Sequence, residues 1–216
     1  MSGRKRATSN VPHLREEREL LSSGFRRIAG LDEAGRGALA GPVVAAAVVL
    51  PPEPDFPWMP RVKDSKLLPE SERQHVFDCM TECGIEMGIG VVEPDVIDAV
   101  NILNATRKAM KLALAALSEP PGYLLIDAVR LRYMTIPQKA IIRGDRTVLS
   151  IACASVVAKV TRDRIMLEMD ERYPGYQFAR HKGYGTREHF ECLRRNGASC
   201  IHRMTYSPLR DLARLI

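Results

Sequence analysis

No stretch of this 216-residue chain is apolar for long enough to cross a bilayer. The longest apolar run, Val43 to Leu50, falls well short of the roughly 20 residues a membrane helix needs. A secretory leader is not expected either. Residues 1–10, MSGRKRATSN, are basic and polar with no apolar segment behind them, and read as a disordered tail touching nucleic acid weakly. The chain has too few cysteines, and an odd number of them, for a disulfide framework: Cys79, Cys83, Cys153, Cys192 and Cys200 point to a reducing, cytoplasmic compartment. A zinc site lacks its pattern too. Cys79 and Cys83 share a helix face, but His181, His189, Cys192 and His202 lie far along the chain without a compact ligand spacing. The cysteines are therefore expected to be small buried residues. No internal repeat is present.

What is present suits one globular domain with a small appendage: 45% hydrophobic and 27% charged residues. Net charge is +6, unevenly spread. Residues 1–127 hold 15 Lys and Arg against 18 Asp and Glu, whereas residues 128–216 hold 17 against 8. A basic C-terminal part beside acids fits a polyanion held by one region and cut at another. A solvated basic surface would look the same.

Hydrophobic patterning predicts a short helix over 14–21 and strands over 27–31, 43–50 and 85–92, the first three strands forming a meander. Residues 51–60 carry five prolines and read as a loop. Helices are expected over 70–82, 104–117 and 148–171, with short pieces near 187–195 and 208–216. Short strands close at Asp127 and over 140–142. Strands first, then alternating helices and strands, imply an α/β domain on a mixed sheet.

The chemistry starts at residues 30–42, GLDEAGRGALAGP. Asp32 and Glu33 stand directly before a glycine-rich loop. A dinucleotide fingerprint must open a helix, yet Pro42 and a β-branched run follow. A divalent cation between acids and phosphate fits better, since Mg²⁺ takes carboxylate and phosphate oxygens together. Gly35 and Gly37 let backbone N–H groups approach a phosphate, and Arg36 can pair with it bidentately. Adjacent strand residues point to opposite faces. Either the strand ends at this pair, or one acid serves through its carbonyl or a water.

Asp127 closes the strand YLLID, and Asp145 follows IIRG ahead of the long helix. Strand ends of this kind collect active-site residues, although a turn or capping acid would also sit there. Asp163, in TRDR, reads as a salt-bridged acid on a solvated helix face. Asp64, in KDSK, reads as turn chemistry, and Lys66 is within reach of a phosphate. Tyr184, in RHKGY, is equally compatible with stacking on a sugar or base and with a half-buried surface loop.

Taken together, IAGLDEAGRGALAGPVVAAAVV, KDSK, NILNATRKAM, LLIDA, IACASVVAKVTRDR and HKGYGT resemble bacterial ribonuclease HII, in order and from about Ile28 to Leu209. The resemblance implies a ribonuclease H-like α/β fold, with a central mixed sheet flanked by helices and a small helical C-terminal region. It divides the chain into a tail and short helix (1–26), a catalytic domain (27–173) and a helical region completing the substrate site (174–216). It implies a monomeric endonuclease that acts on RNA–DNA hybrids and on ribonucleotides embedded in duplex DNA, cutting 5′ of the ribonucleotide to leave 3′-hydroxyl and 5′-phosphate ends. Asp32, Glu33, Asp127 and Asp145 would hold two Mg²⁺ or Mn²⁺ ions. Gly35, Arg36 and Gly37 would read the ribonucleotide, Lys66 would contact phosphate, and Tyr184 would pack on the neighbouring sugar. Four positions depart from the family pattern: Ala38 for proline, Ala128 for glycine, Leu68 for a helix-capping serine and Cys153 for alanine. Another nuclease or transposase of the same fold, and a hybrid-binding module without catalysis, are the rival readings. Neither accounts for the intact acids together with GRG and HKGY.

Overall fold

The computed structural model describes residues 11–62 and 68–210. Asp64 and Lys66 lie outside the described residues, as does most of the helix expected over 208–216. Five strands form one sheet in the order β3-β2-β1-β4-β5. They are β1 (Ile28–Ala34), β2 (Val43–Val49), β3 (Glu86–Val92), β4 (Tyr123–Asp127) and β5 (Gln138–Ile141). β2 runs antiparallel to β1 and β3, as the expected meander requires, while β1, β4 and β5 run parallel. The chain therefore delivers the carboxyl ends of three adjacent parallel strands to one edge of the sheet.

β2 reads VVAAAVV and is buried throughout, the mark of a strand covered on both faces. Its alternate residues Ala45, Ala47 and Val49 join the core beneath α4 (Ile102–Ala115). Ala46 and Val48 face the other way, toward α5 (Leu149–Arg172) and α2 (Glu70–Glu82). Small strand residues let the helices come close. At Gly30, an added Cβ would lie 2.2 Å from the Ser150 carbonyl carbon, so the start of α5 rests directly on β1. That start has no side-chain cap of its own. Glu17 of α1 (Arg15–Ser22) supplies one, accepting from the Ser150 N–H at 2.9 Å. Burial raises the Glu17 pKa.

The sequence pattern missed α3 (Pro94–Val100), a short turn of helix opened by proline, and α6 (Phe178–His181). It also missed a 3₁₀ turn over Met59–Arg61 at the end of the proline loop. α2 starts without a side-chain cap, as the leucine at position 68 leads one to expect. α7 (Arg187–Asn196) is capped by Thr186. No helix among the described residues is long and apolar enough to cross a membrane.

The β4–β5 connection is unusual. Parallel neighbours normally need a crossover of a dozen or more residues, often a helix. Here residues 128–137 make it as an irregular segment, anchored by buried Val129 and Leu131 and by Gln138, whose amide bonds both the N–H and the carbonyl of Leu131 at 2.8 Å.

Candidate active site

Asp32 and Asp127 stand side by side. β1 and β4 pair in parallel up to Leu31 and Ile126, and each acid is the next residue. In register, Asp32 lies opposite Ala46, on the α5 face. It is 4% exposed and accepts from the Glu33 N–H at 2.7 Å and from the Ser155 hydroxyl on α5. Burial, then the charges of Glu33 and Asp127, raise its pKa well above the ordinary carboxylate value. Asp127 accepts from the Gly144 N–H at 2.7 Å. That bond draws in the 3₁₀ turn Gly144–Arg146 and with it Asp145, which is 4% exposed. Asp32 and Asp127 thus lie at the carboxyl ends of adjacent parallel strands, with Glu33 next in β1 and the turn that carries Asp145 bonded to Asp127, where open α/β sheets place ligands.

The strand does not end at the acid pair. β1 stays paired with β2 through Ala34, so Glu33 lies opposite Ala45 and alternation persists. Its other edge has no β4 partner beyond Leu31. This leaves room for Glu33 to come round to a cavity of ≈ 220 Å³ that it shares with Gly35, Arg36, Gly37, Ser155, Lys159 and Tyr184. There Arg36 donates to Glu33 at 3.1 Å.

Two buried arginines hold the loop that follows. Arg162 of α5 donates to the carbonyls of Pro42 (2.9 Å), Ala40 (3.0 Å) and Lys182 (2.9 Å), and lies 5.2 Å from the centre of the Tyr184 ring. Arg203 donates to the Gly41 carbonyl twice and to the Arg36 carbonyl at 3.0 Å. Both side chains are fully buried, and burial lowers the Arg162 pKa to about 10. Gly35 has φ +92°, and a Cβ there would lie 2.1 Å from Arg162 Nε, so both backbone and space demand glycine. Gly37 differs: a Cβ would meet nothing within 4 Å. Its missing side chain serves no packing inside the protein and leaves the loop bare toward the cavity.

Three histidines fasten the other wall. His181 and His189 stack at 4.3 Å, and His189 Nε2 lies 3.0 Å from His202 Nε2. One neutral tautomer set satisfies all of them. His189 Nδ1 donates to the Tyr184 carbonyl at 3.0 Å and its Nε2 accepts from His202. His202 Nδ1 accepts from the Ser199 N–H at 2.9 Å, and His181 Nδ1 accepts from the Gly183 N–H at 3.2 Å. Burial lowers His189 and His202 to pKa values of about 4. The histidines that looked scattered in the sequence are therefore neighbours, and they brace HKGY.

Other expectations need correction. Asp163 is not on a solvated face: it is 5% exposed and paired with Lys159 and, at 3.5 Å, with Arg73. Helix packing against α2 and the loop buries that side of α5. Cys153 and Cys192 are buried as expected, but Cys83 and Cys200 are exposed and Cys79 is half-buried. Ser155, Lys159, Arg162 and Arg203 were missed as site residues. The first three repeat at i, i+4 and i+7 along α5, a polar stripe on a helix of small apolar residues, and that spacing was a readable signal.

Among the described residues, no three His, Cys, Asp or Glu side chains form a ready-made metal cage. The carboxylates turn toward protein donors instead: the Glu33 and Gly144 amides and the Arg36 guanidinium. The donor set still fits a hard divalent cation. It offers carboxylate oxygens only, and Asp32 is buried against two like charges that a cation would offset.

Comparison with known proteins bears on family and fold. Residues 29–208 match the family model for Ribonuclease HII. A Ribonuclease HII from Dehalococcoides mccartyi is 48% identical over 201 residues, covering 93% of this chain and 95% of its relative. Among solved structures, the ribonuclease H2 from Pyrococcus horikoshii OT3 superposes with a TM-score of 0.73 at 24% identity, covering 88% of this chain and 98% of that one. Bst-RNase HIII in complex with Mn²⁺ gives 0.62 at 15% identity, over 88% and 70%. These two likenesses carry the ribonuclease H-like fold.

Proposed function

The chain belongs to the ribonuclease HII family, hydrolytic endoribonucleases acting on RNA paired with DNA, and we propose that its four acids and the Gly35–Gly37 loop form one site that cuts 5′ of a ribonucleotide. The observation that carries this reading is the shared cavity. Glu33, the GRG loop, Ser155 and Tyr184 line one hollow at the edge where Asp32 and Asp127 meet.

Asp32, Glu33, Asp127 and Asp145 would hold divalent cations, Mg²⁺ or Mn²⁺, since carboxylate oxygens suit both; Bst-RNase HIII, of the same fold, is in complex with Mn²⁺. Such cations supply Lewis acidity toward the scissile phosphate and activation of the attacking water. The protein's own share is placement. Ser155 and the Glu33 amide fix the Asp32 carboxylate, and the Gly144 amide fixes Asp127. Arg162 and Arg203 keep the loop in a single shape, so its amides need no reordering when a nucleotide arrives. The open flank of Gly37 admits a sugar–phosphate close to the backbone, where the 2′-hydroxyl distinguishes RNA from DNA. Tyr184, backed by Arg162, offers a ring to the adjoining sugar. Cleavage leaves 3′-hydroxyl and 5′-phosphate ends.

The test is a cleavage assay on duplex DNA with one embedded ribonucleotide, beside an all-DNA control, with and without Mg²⁺ or Mn²⁺. Metal-dependent cutting on the 5′ side of the ribonucleotide is expected. Equal cutting of the all-DNA duplex would overturn the reading.

A further inference from the structure

Two segments without a single acid face each other beside the site. Residues 101–117, which contain α4, carry Arg107, Lys108 and Lys111, and residues 128–137, the β4–β5 crossover, carry Arg130 and Arg132. Neither segment contains Asp or Glu. Arg107 Nε donates to the Arg130 carbonyl at 3.2 Å, which fastens the helix to the crossover three residues beyond Asp127. Between them is a hollow of ≈ 430 Å³ lined by Asn104, Arg107, Lys108, Lys111, Arg132 and Tyr133.

Among the described residues, the cations of this hollow have no carboxylate partner, and only Arg107 of them is bonded within the fold. Arg15, Arg27, Arg36, Arg61, Arg180 and Arg187 all pair with carboxylates elsewhere. Among the described residues, none of the five cations here has an ion pair. Tyr133 is 97% exposed, an aromatic ring that packs on nothing within the protein. Uncompensated cations spread along a concave surface attract a polyanion, and a duplex supplies regularly spaced phosphates. A bare ring among them suits contact with a sugar or an exposed base face.

We infer that this face is a second contact for the substrate duplex, where Lys108, Lys111 and Arg132 hold the phosphodiester backbone away from the phosphate being cut and Tyr133 rests against it. The inference depends on the nuclease reading above. It extends the binding footprint from the catalytic edge along α4 and the crossover, and it affects affinity rather than the chemical step.

The test is the triple variant Lys108→Ala, Lys111→Ala, Arg132→Ala, chosen because these side chains are exposed and make no internal bonds that would be lost. Binding is measured by fluorescence anisotropy in EDTA across a salt series, on an RNA–DNA hybrid of several helical turns and on one shorter than a turn. For the long hybrid, affinity should fall about ten-fold or more, and the slope of log Kd against log salt should become shallower by roughly 2 to 3. On the short hybrid, affinity and kcat should match wild type. Unchanged affinity and slope on the long hybrid would overturn the inference and leave the face to an acidic protein partner. Tyr133→Ala should weaken long-hybrid binding with no change in salt slope; a change in slope would argue against ring contact. Wild-type cutting of the short hybrid, run alongside, separates failure of this inference from failure of the nuclease reading.

Discussion

The carboxylate edge and the basic face solve opposite electrostatic problems. At the edge, like charges crowd a buried group: burial first, then the charges of Glu33 and Asp127, push the Asp32 pKa up. Such an arrangement survives only because each group is tied down, by Ser155, by backbone amides and by two buried arginines behind the loop. On the face of α4 and the crossover, Lys108, Lys111, Arg130 and Arg132 stand exposed in solvent, and only Arg107 is tied into the fold. The contrast teaches that a reacting phosphate needs groups fixed at high cost in desolvation, whereas holding a backbone needs only charge of the right sign in the right region.

Breaking the edge should have the largest effect. Asp32→Asn removes a charge that Glu33 and Asp127 oppose, so folding should be kept while cleavage falls by about 10³-fold or more, the scale lost when one member of a concerted set is removed. Hybrid binding, read by anisotropy in EDTA, should persist. Turnover near wild type would dissolve the distinction between edge and face. Next comes the support behind the loop. Arg162→Met leaves the carbonyls of Ala40, Pro42 and Lys182 without their donor, and should cost about 3 kcal/mol or more of stability in urea denaturation. Loss of the loop's shape should also raise KM on a single-ribonucleotide duplex.

The histidine brace separates the two regions by pH. His189 and His202 stay neutral in the fold, with pKa values lowered to about 4, whereas in the unfolded chain each titrates near 6.5. Between those values the unfolded chain binds more protons, so stability rises with pH. The contribution is complete above pH 6.5 and is lost as pH falls toward 4. Thermal melts across that window should show the decline, and His202→Gln should flatten it. The smallest effect belongs to Ala128, which has φ +49° next to Asp127. Ala128→Gly removes the left-handed strain and should stabilise the protein by about 0.5–1 kcal/mol in the same melts, leaving cleavage intact.

Much of the site could be read one element at a time. An apolar strand followed at once by an acid marks a strand end: this holds for Asp127, which closes β4, and fails for Asp32, because β1 runs on to Ala34, while Asp145 lies in the turn ahead of the long helix as the pattern suggests. What escaped depends on pairs of residues distant in the chain. Ser155 matters because Gly30 lets α5 rest on β1. Asp163 was misjudged because nothing in TRDR announces that α2 covers it with Arg73. The histidines are separated by 8 and 13 residues, and only the turn at Gly183 and the return of residues 197–202 bring them together.

By itself, the order of residues determined which strands form, that Asp127 closes one of them and where charge of each sign accumulates, because strand burial, turn preference and net charge are properties of neighbouring residues. Tertiary structure alone decided that β4 lies parallel beside β1, so that Asp32 and Asp127 share one end of the sheet. It also decided that two arginines would be buried to shape the GRG loop, and that α4 and the crossover would pool their cations on one surface. The reason is physical: desolvation and like-charge repulsion act across space, between groups that only the packed sheet and helices bring within reach.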